Sequence, residues 1–279
     1  MIHPSAVIAE GAEIAEGVEI GPLCYVGPHV KLGANCKLIS HCNIDGYTTI
    51  GSNNVFHPFS AIGQPGQDRG VEPGSISYIT IGNNNIFREN TTVHSGTKPG
   101  TVTQIGNNCM FMAGSHVAHN CKVGNNVIIV NATVLGGYAE VADNALLSCL
   151  CAVHQFCRVG RKAMIGGVVG VDRDVIPFGI VTGDRGKLRG LNRIGMMRSG
   201  MDEATIKSVT RAYMYIFKGK EDTLEVRLEK AKQWLITAGK VVGAVAVVAG
   251  VAYLAKKPNK DEVAAANEMI NVLSNAQGT

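Results

Sequence analysis

Apolar residues recur at every sixth position from the start of the chain: Ile2, Ile8, Ile14, Ile20, Val26, Leu32, Leu38, Ile44, Ile50, Phe56 and Ile62. The frame restarts at Ile81, Phe87 and Val93, and again at Ile105, from which it runs unbroken to Val171. A period of six matches neither the 3.6 of a helix nor the alternation of a half-buried strand. It predicts a triangular solenoid: each hexapeptide forms one short flat side, three of them close a coil of eighteen residues, and the repeated apolar residue points inward. Glycine often follows that residue, as at Gly21, Gly27, Gly33, Gly51, Gly82 and Gly124. At these positions it is expected to supply the permissive dihedrals of a corner. Two stretches break the frame, 63–80 and 94–104, and read as loops projecting from the coil, where function concentrates on such scaffolds.

From about Met201 the spacing changes. Ile206, Val209, Tyr213 and Ile216, then Leu224, Leu228, Ala231 and Leu235, recur every three or four residues and predict two amphipathic helices. A third helix is expected from about Asp261. Between them, 241–255 is uncharged and apolar on all sides, yet shorter than the roughly 20 residues that span a bilayer. It reads as a buried or subunit-contact helix, with shallow membrane contact the less favoured alternative. The division that follows is a solenoid over 1–185, carrying the loops at 63–80 and 94–104, and a helical domain over 186–279.

Composition narrows the class. Of 279 residues 46% are hydrophobic but only 5% aromatic, which suits a thin solenoid core better than a thick globular one. The net charge of +4 is too even for a general nucleic-acid binder. Most of the basic character is local: residues 158–198 hold nine Arg and Lys against three Asp, a surplus larger than that of the whole chain. This stretch reads as a dock for an acidic partner and a pyrophosphate. No basic and apolar leader opens the sequence, so a cytoplasmic location is expected. Of the eight cysteines, seven sit four residues after a repeat apolar residue, in a slot that faces the coil interior; Cys149 alone is off frame.

Chemistry gathers where eighteen-residue stacking brings polar residues together. His119 stacks on Gly137 and then Gln155; Asn120 stacks on Tyr138 and then Phe156; His154 lies beside them, and His116 precedes His119 by one side of a strand. Imidazole can act here as a general base or as a metal ligand. The second reading fits the zinc carbonic anhydrases built on the same repeat, which need three histidines converging across a subunit boundary. A solenoid that only assembles or binds a partner is a third reading. The base reading needs a donor for an oxyanion, which an exposed N–H at Gly137 would supply.

The hexapeptide pattern resembles the left-handed parallel β-helix of hexapeptide acyltransferases, and the resemblance gives the hand of the coil. Within that group, the segments IGQPGQD, IGNNNIFREN, SHVAHNCKVGNN, AVHQFCRVG, MIGGVVGVDRDVIPF and GLNRIGMMRSG resemble, in order and spacing, the acyl carrier protein-dependent UDP-N-acetylglucosamine O-acyltransferases that begin lipid A synthesis. The resemblance runs from residue 1 to about 217. It implies an all-β left-handed parallel β-helix followed by a smaller helical domain, assembled as a homotrimer. It also implies transfer of a 3-hydroxyacyl group to the sugar 3-hydroxyl, with no metal and no cofactor beyond the phosphopantetheine carried by the acyl carrier protein co-substrate. His119 then matches the general base, and Asp68 the acid that steadies it or the sugar. Gln67, His116, His154 and Gln155 match substrate contacts, Asn192 and Arg198 nucleotide contacts, and Gly167 the position that limits acyl length. Tyr138 stands where the family usually has a further histidine; Gly70, Ile194 and Ser199 also depart from the usual pattern.

Overall fold

The computed structural model describes residues 1–219, 222–223 and 226–231. Each hexapeptide contributes a strand of mostly two residues followed by a tight corner, and every third strand pairs in parallel with its predecessor. Three sheets result, of nine, eight and ten strands, which form the three walls of a left-handed parallel β-helix. The nine-stranded wall includes His116–Val117, the eight-stranded wall Lys122–Val123, and the ten-stranded wall Ile128–Ile129.

The six-residue frame is the interior. From Ile20 through Val171 its members are almost wholly buried, while Ile2 is exposed. Phe56, Phe87 and Phe111 stack with ring centroids 4.8 Å apart, the spacing of neighbouring strands. These rings are in register although 31 residues separate the first pair and 24 the second, because the extra residues leave the coil as excursions. Strand pairing reaches further into both interruptions than the broken frame predicts. Tyr78–Ile81 pairs with Tyr47–Ile50 on one side and Val102–Ile105 on the other, so the excursions proper are 65–77 and 95–101.

The corners correct the expected role of glycine. None of Gly21, Gly27, Gly33, Gly51, Gly82 and Gly124 has a positive φ; that conformation falls three residues after the apolar one, at Asn35, Asn53, Asn84, Asn108, Asn126 and Asn144. Asparagine tolerates the left-handed region better than other side chains do. The glycines answer a different constraint, which is close approach of the next coil. A Cβ at Gly21 would lie 1.8 Å from the carbonyl oxygen of Ile39, and one at Gly33 2.5 Å from the carbonyl carbon of Gly51. The seven in-frame cysteines are buried and unpaired, Cys149 is exposed, and several thiols donate to carbonyls of the following coil, as Cys151 does to Gly166 at 2.8 Å.

A hairpin of Gly179–Thr182 and Lys187–Leu191 closes the ten-stranded wall, so the sheet continues past the expected boundary at 185. Helices α1 (Arg193–Arg198) and α2 (Glu203–Lys218) follow. Asp202 caps α2 by accepting from the Thr205 N–H at 2.9 Å, and the helix buries the predicted stripe Ile206, Val209, Tyr213 and Ile216 together with Ala212. With Ile176, Phe178, Leu191 and Met196 they form a second small core. Residues 226–231 are helical, with Leu228 and Ala231 buried as expected. The expected positions Leu224 and Leu235, the segment 241–255 and the helix from Asp261 lie outside the described residues. Among the described residues no helix is long and apolar enough to cross a membrane.

Candidate active site

His119 occupies a corner between the nine- and eight-stranded walls, where the chain turns from His116–Val117 to Lys122–Val123. Stacking follows the predicted column. The Tyr138 N–H donates to the His119 carbonyl and the Phe156 N–H to the Gly137 carbonyl, both at 3.0 Å. The imidazole folds down onto Gly137, so a Cβ there would sit 2.3 Å from Cε1 and 2.4 Å from Nε2. Gly137 is therefore buried beneath the ring instead of open to solvent as expected, and only a residue without a side chain fits. Its N–H donates to no group among the described residues. An imidazole packed on a glycine whose backbone N–H is unspent is the central feature of this site.

The imidazole is held on its other sides. Its Nδ1 lies 3.0 Å from Asn120 Oδ1, and Tyr138 meets it edge-on with centroids 5.4 Å apart. Tyr138 in turn stacks on Phe156 at 4.9 Å, and its hydroxyl lies 3.5 Å from Thr97 Oγ1. Asn120 adopts φ +61°, so its backbone turns the corner while its side chain faces inward to His119.

The excursion at 65–77 arrives alongside. A Cβ on Gly66 would lie 3.0 Å from His119 Cβ and 2.9 Å from Thr97 Cγ2. That contact brings Gln67 and Asp68, both exposed, to the edge of the site. Asp68 does not bond the imidazole within this chain. Its Oδ1 accepts from the Gly70 N–H at 2.6 Å, and the partner of His119 is Asn120 instead. Its other carboxylate oxygen accepts no hydrogen bond among the described residues.

His116 lies one strand back and bonds Thr92 Oγ1 through Nδ1 at 2.7 Å. His94, which sequence reasoning missed, meets His116 edge-on at 4.9 Å and is itself buried, with Nδ1 unpartnered. Burial, reinforced by the imidazoles of His116 and His119, pushes His94 down to about 4; burial and then His119 push His116 below its ordinary value. The signal for His94 was its place directly after the frame residue Val93. Eighteen-residue arithmetic concealed it because the coil there is 24 residues long. Thr97, within the second excursion, has no periodic signal at all.

His154 and Gln155 stand exposed one coil beyond Gly137, His154 Nδ1 lying 3.1 Å from the Gln155 carbonyl. The remaining candidates are elsewhere in the single chain. Gly167 is exposed on the corner between the ten- and nine-stranded walls, above Cys149, whose Sγ an added Cβ would touch at an ordinary 3.5 Å. Asn192 caps α1, accepting from the Gly195 N–H at 2.9 Å and donating to the Lys162 carbonyl at 3.2 Å; Arg198 is exposed in the last turn of that helix. Within the basic stretch, Arg158 donates from Nε and Nη2 to Asp174 Oδ2 and from its backbone N–H to Oδ1, and Arg173 pairs with Asp172. Arg161 Nε is buried without a partner, whereas Arg185 and Lys187 are exposed. Among the described residues no three His, Cys, Asp or Glu side chains are grouped to share a metal ion.

Comparison with known proteins gives a consistent picture. A family profile described as UDP N-acetylglucosamine O-acyltransferase, domain 2, matches residues 174–277, and the bacterial transferase hexapeptide profile matches 103–137. The first match runs through the apolar segment 241–255. An acyl-[acyl-carrier-protein]–UDP-N-acetylglucosamine O-acyltransferase of Anaeromyxobacter is 49% identical over 78% of this chain and 84% of its own length. The Agrobacterium fabrum protein of the same name is 44% identical over 78% of this chain and 81% of its own. Among solved structures, the UDP-N-acetylglucosamine acyltransferase of Francisella novicida superposes with a TM-score of 0.81 at 35% identity, covering 87% of this chain and 91% of its own. That of Bacteroides fragilis gives 0.83 at 33%, covering 92% and 97%.

Proposed function

This chain belongs to the family of acyl carrier protein-dependent UDP-N-acetylglucosamine O-acyltransferases, and from that premise we propose how its own residues carry out the transfer that begins lipid A synthesis. The observation that carries the reading is His119 packed on Gly137, whose N–H is unspent. With Nδ1 turned to Asn120, Nε2 is the ring atom left to take the proton from the 3-hydroxyl of the sugar. The alkoxide oxygen attacks the thioester carbonyl of the carrier-bound acyl group. The resulting oxyanion receives the Gly137 N–H, a donor fixed in place before the reaction begins. Collapse expels the phosphopantetheine thiolate, which recovers the proton from the imidazolium. The products are the 3-O-acyl sugar nucleotide and the free carrier thiol. No metal or further cofactor enters the scheme.

Gln67, Asp68, His116, Tyr138, His154 and Gln155 border this point and serve as substrate contacts, with Tyr138 offering a phenol where the family usually offers an imidazole. Asn192 and Arg198 complete the nucleotide site from a neighbouring copy in a homotrimer. An in-register stripe on the outer side of the ten-stranded wall supports that assembly: Val55, Ile86, Met110, Ile128, Leu146, Met164 and Ile180 stack rung on rung, where a free surface would carry charge. Eight unpaired cysteines suit the reducing cytoplasm, where acyl carrier protein resides. The test is to incubate the protein with carrier-bound 3-hydroxyacyl chains of several lengths and UDP-N-acetylglucosamine. Formation of a 3-O-acyl product with release of free carrier thiol is expected; hydrolysis alone, or no reaction with any chain, contradicts the proposal.

A further inference from the structure

Asn120 presents an amide to His119, and an amide has two unlike ends. If Oδ1 faces the ring, Nδ1 must carry the proton and Nε2 keeps its lone pair; if Nδ2 faces it, the tautomer reverses and the base is lost. What fixes the end is Thr97. Its backbone N–H donates to Asn120 Oδ1 at 3.1 Å and its hydroxyl to the same oxygen at 3.2 Å, beside the His119 Nδ1 contact at 3.0 Å. A backbone N–H can only donate, so turning the amide over would set two donors face to face. Thr97, Asn120 and His119 are all about nine-tenths buried, so little water competes for these bonds. The Asn120 N–H donates to Thr103 Oγ1 at 2.8 Å, which holds the side chain at this corner.

We propose that Thr97 is a positioning residue for acyl transfer: by donating twice to Asn120 Oδ1 it sets the amide, and through the amide the tautomer of His119, so that Nε2 is the free base above Gly137. Thr97 need not touch substrate to do this. It also carries the Tyr138 hydroxyl at 3.5 Å, so the second excursion ties the base and its aromatic neighbour together. The inference rests on the assignment of His119 as the base. Its particular content is that an amide, unlike a carboxylate, needs a partner to decide which way round it stands.

A double-mutant cycle with Asn120→Asp separates this role from mere packing, because a carboxylate accepts from either oxygen and needs no orientation. In the parent, Thr97→Val leaves the backbone N–H donor to Asn120 Oδ1 and removes only the hydroxyl donor, so the hold on the amide weakens by one hydrogen bond and kcat should fall roughly three- to tenfold, with KM for the sugar nucleotide little changed. Thr97→Ser, which keeps the hydroxyl, should restore most of the rate. In the Asn120→Asp background, whatever its own rate, Thr97→Val should cost about twofold or less. Equal losses in both backgrounds, no loss in the parent, or a Ser variant as slow as Val would each overturn the proposal. If Thr97→Val does not fold, Thr97→Ala takes its place under the same criteria. His119→Ala measured alongside keeps the two ideas distinct: a folded, active His119→Ala defeats the base assignment, whereas an inactive one with an additive cycle defeats only the role of Thr97.

Discussion

Gly137→Ala isolates the contact on which the chemistry depends. The added methyl would stand 2.3 Å from Cε1, 2.4 Å from Nε2 and 3.0 Å from Nδ1 of His119, whereas ordinary contact begins near 3.4 Å. The imidazole must therefore retreat by about 1 Å, and a displacement of that size can cost on the order of 10²-fold in rate. The backbone itself accepts alanine, because Gly137 is not among the glycines with positive φ. Melting temperature and far-ultraviolet dichroism should thus stay close to parental while kcat for acyl transfer falls about 100-fold. Gly136→Ala is the control. Its Cβ would meet backbone, 2.7 Å from Gln155 N and 3.0 Å from the Val153 oxygen, so it should lower the melting temperature instead. A folded Gly137→Ala enzyme that keeps half of the parental kcat would mean that the position of the imidazole over Gly137 does not govern the rate.

Gly167→Met should shift preference toward shorter acyl donors with little loss of stability, since a Cβ there meets Cys149 Sγ at an ordinary 3.5 Å and each displaced methylene is worth about 0.8 kcal/mol; an unchanged chain-length profile would place the acyl groove elsewhere. Charge reversal in the basic stretch is best made at the exposed Arg185 and Lys187, because the buried Arg161 Nε and the partly desolvated Lys162 make their own reversal a structural lesion. Arg185→Glu with Lys187→Glu should raise KM for the carrier protein more than KM for the sugar nucleotide and should flatten its salt dependence; equal rises in both would contradict docking there. His94 is held near 4 in the folded chain against 6.5 ordinarily, so the unfolded chain binds the extra proton between those values. Stability should be full above about pH 6.5 and decline toward pH 4 by on the order of 3 kcal/mol, and His94→Leu should remove most of that slope in denaturant titrations.

The solenoid was legible because one residue type in six sits in the same interior slot, from Ile20 to Val171, and nothing else in the chain competes with that period. Reasons were less legible than positions. Glycine after the frame residue looked like a corner, yet the left-handed corner lies two residues later at asparagine, and the glycine answers the carbonyl of the next coil. The column His119, Gly137 and Gln155 followed from eighteen-residue coils, and it holds because those coils are unbroken. His94 and Thr97 escaped because they lie in or beside an excursion, where register depends on how many residues leave the coil. Asp68 was assigned by resemblance to His119 or to the sugar; within one chain it bonds its own loop, and the ring takes Asn120. Asn192 carries a capping role that spacing could not reveal, since a short helix starting after a closing hairpin leaves no period to read.

If His119 is the base for transfer to the sugar hydroxyl, single-turnover acyl transfer by His119→Ala reads its contribution without interference from product release. With binding of UDP-N-acetylglucosamine and melting temperature measured on the same preparation, the rate should fall by about 10² to 10⁴ while both of those remain near parental. A folded, ligand-binding His119→Ala protein that transfers acyl groups at half the parental rate would contradict that role.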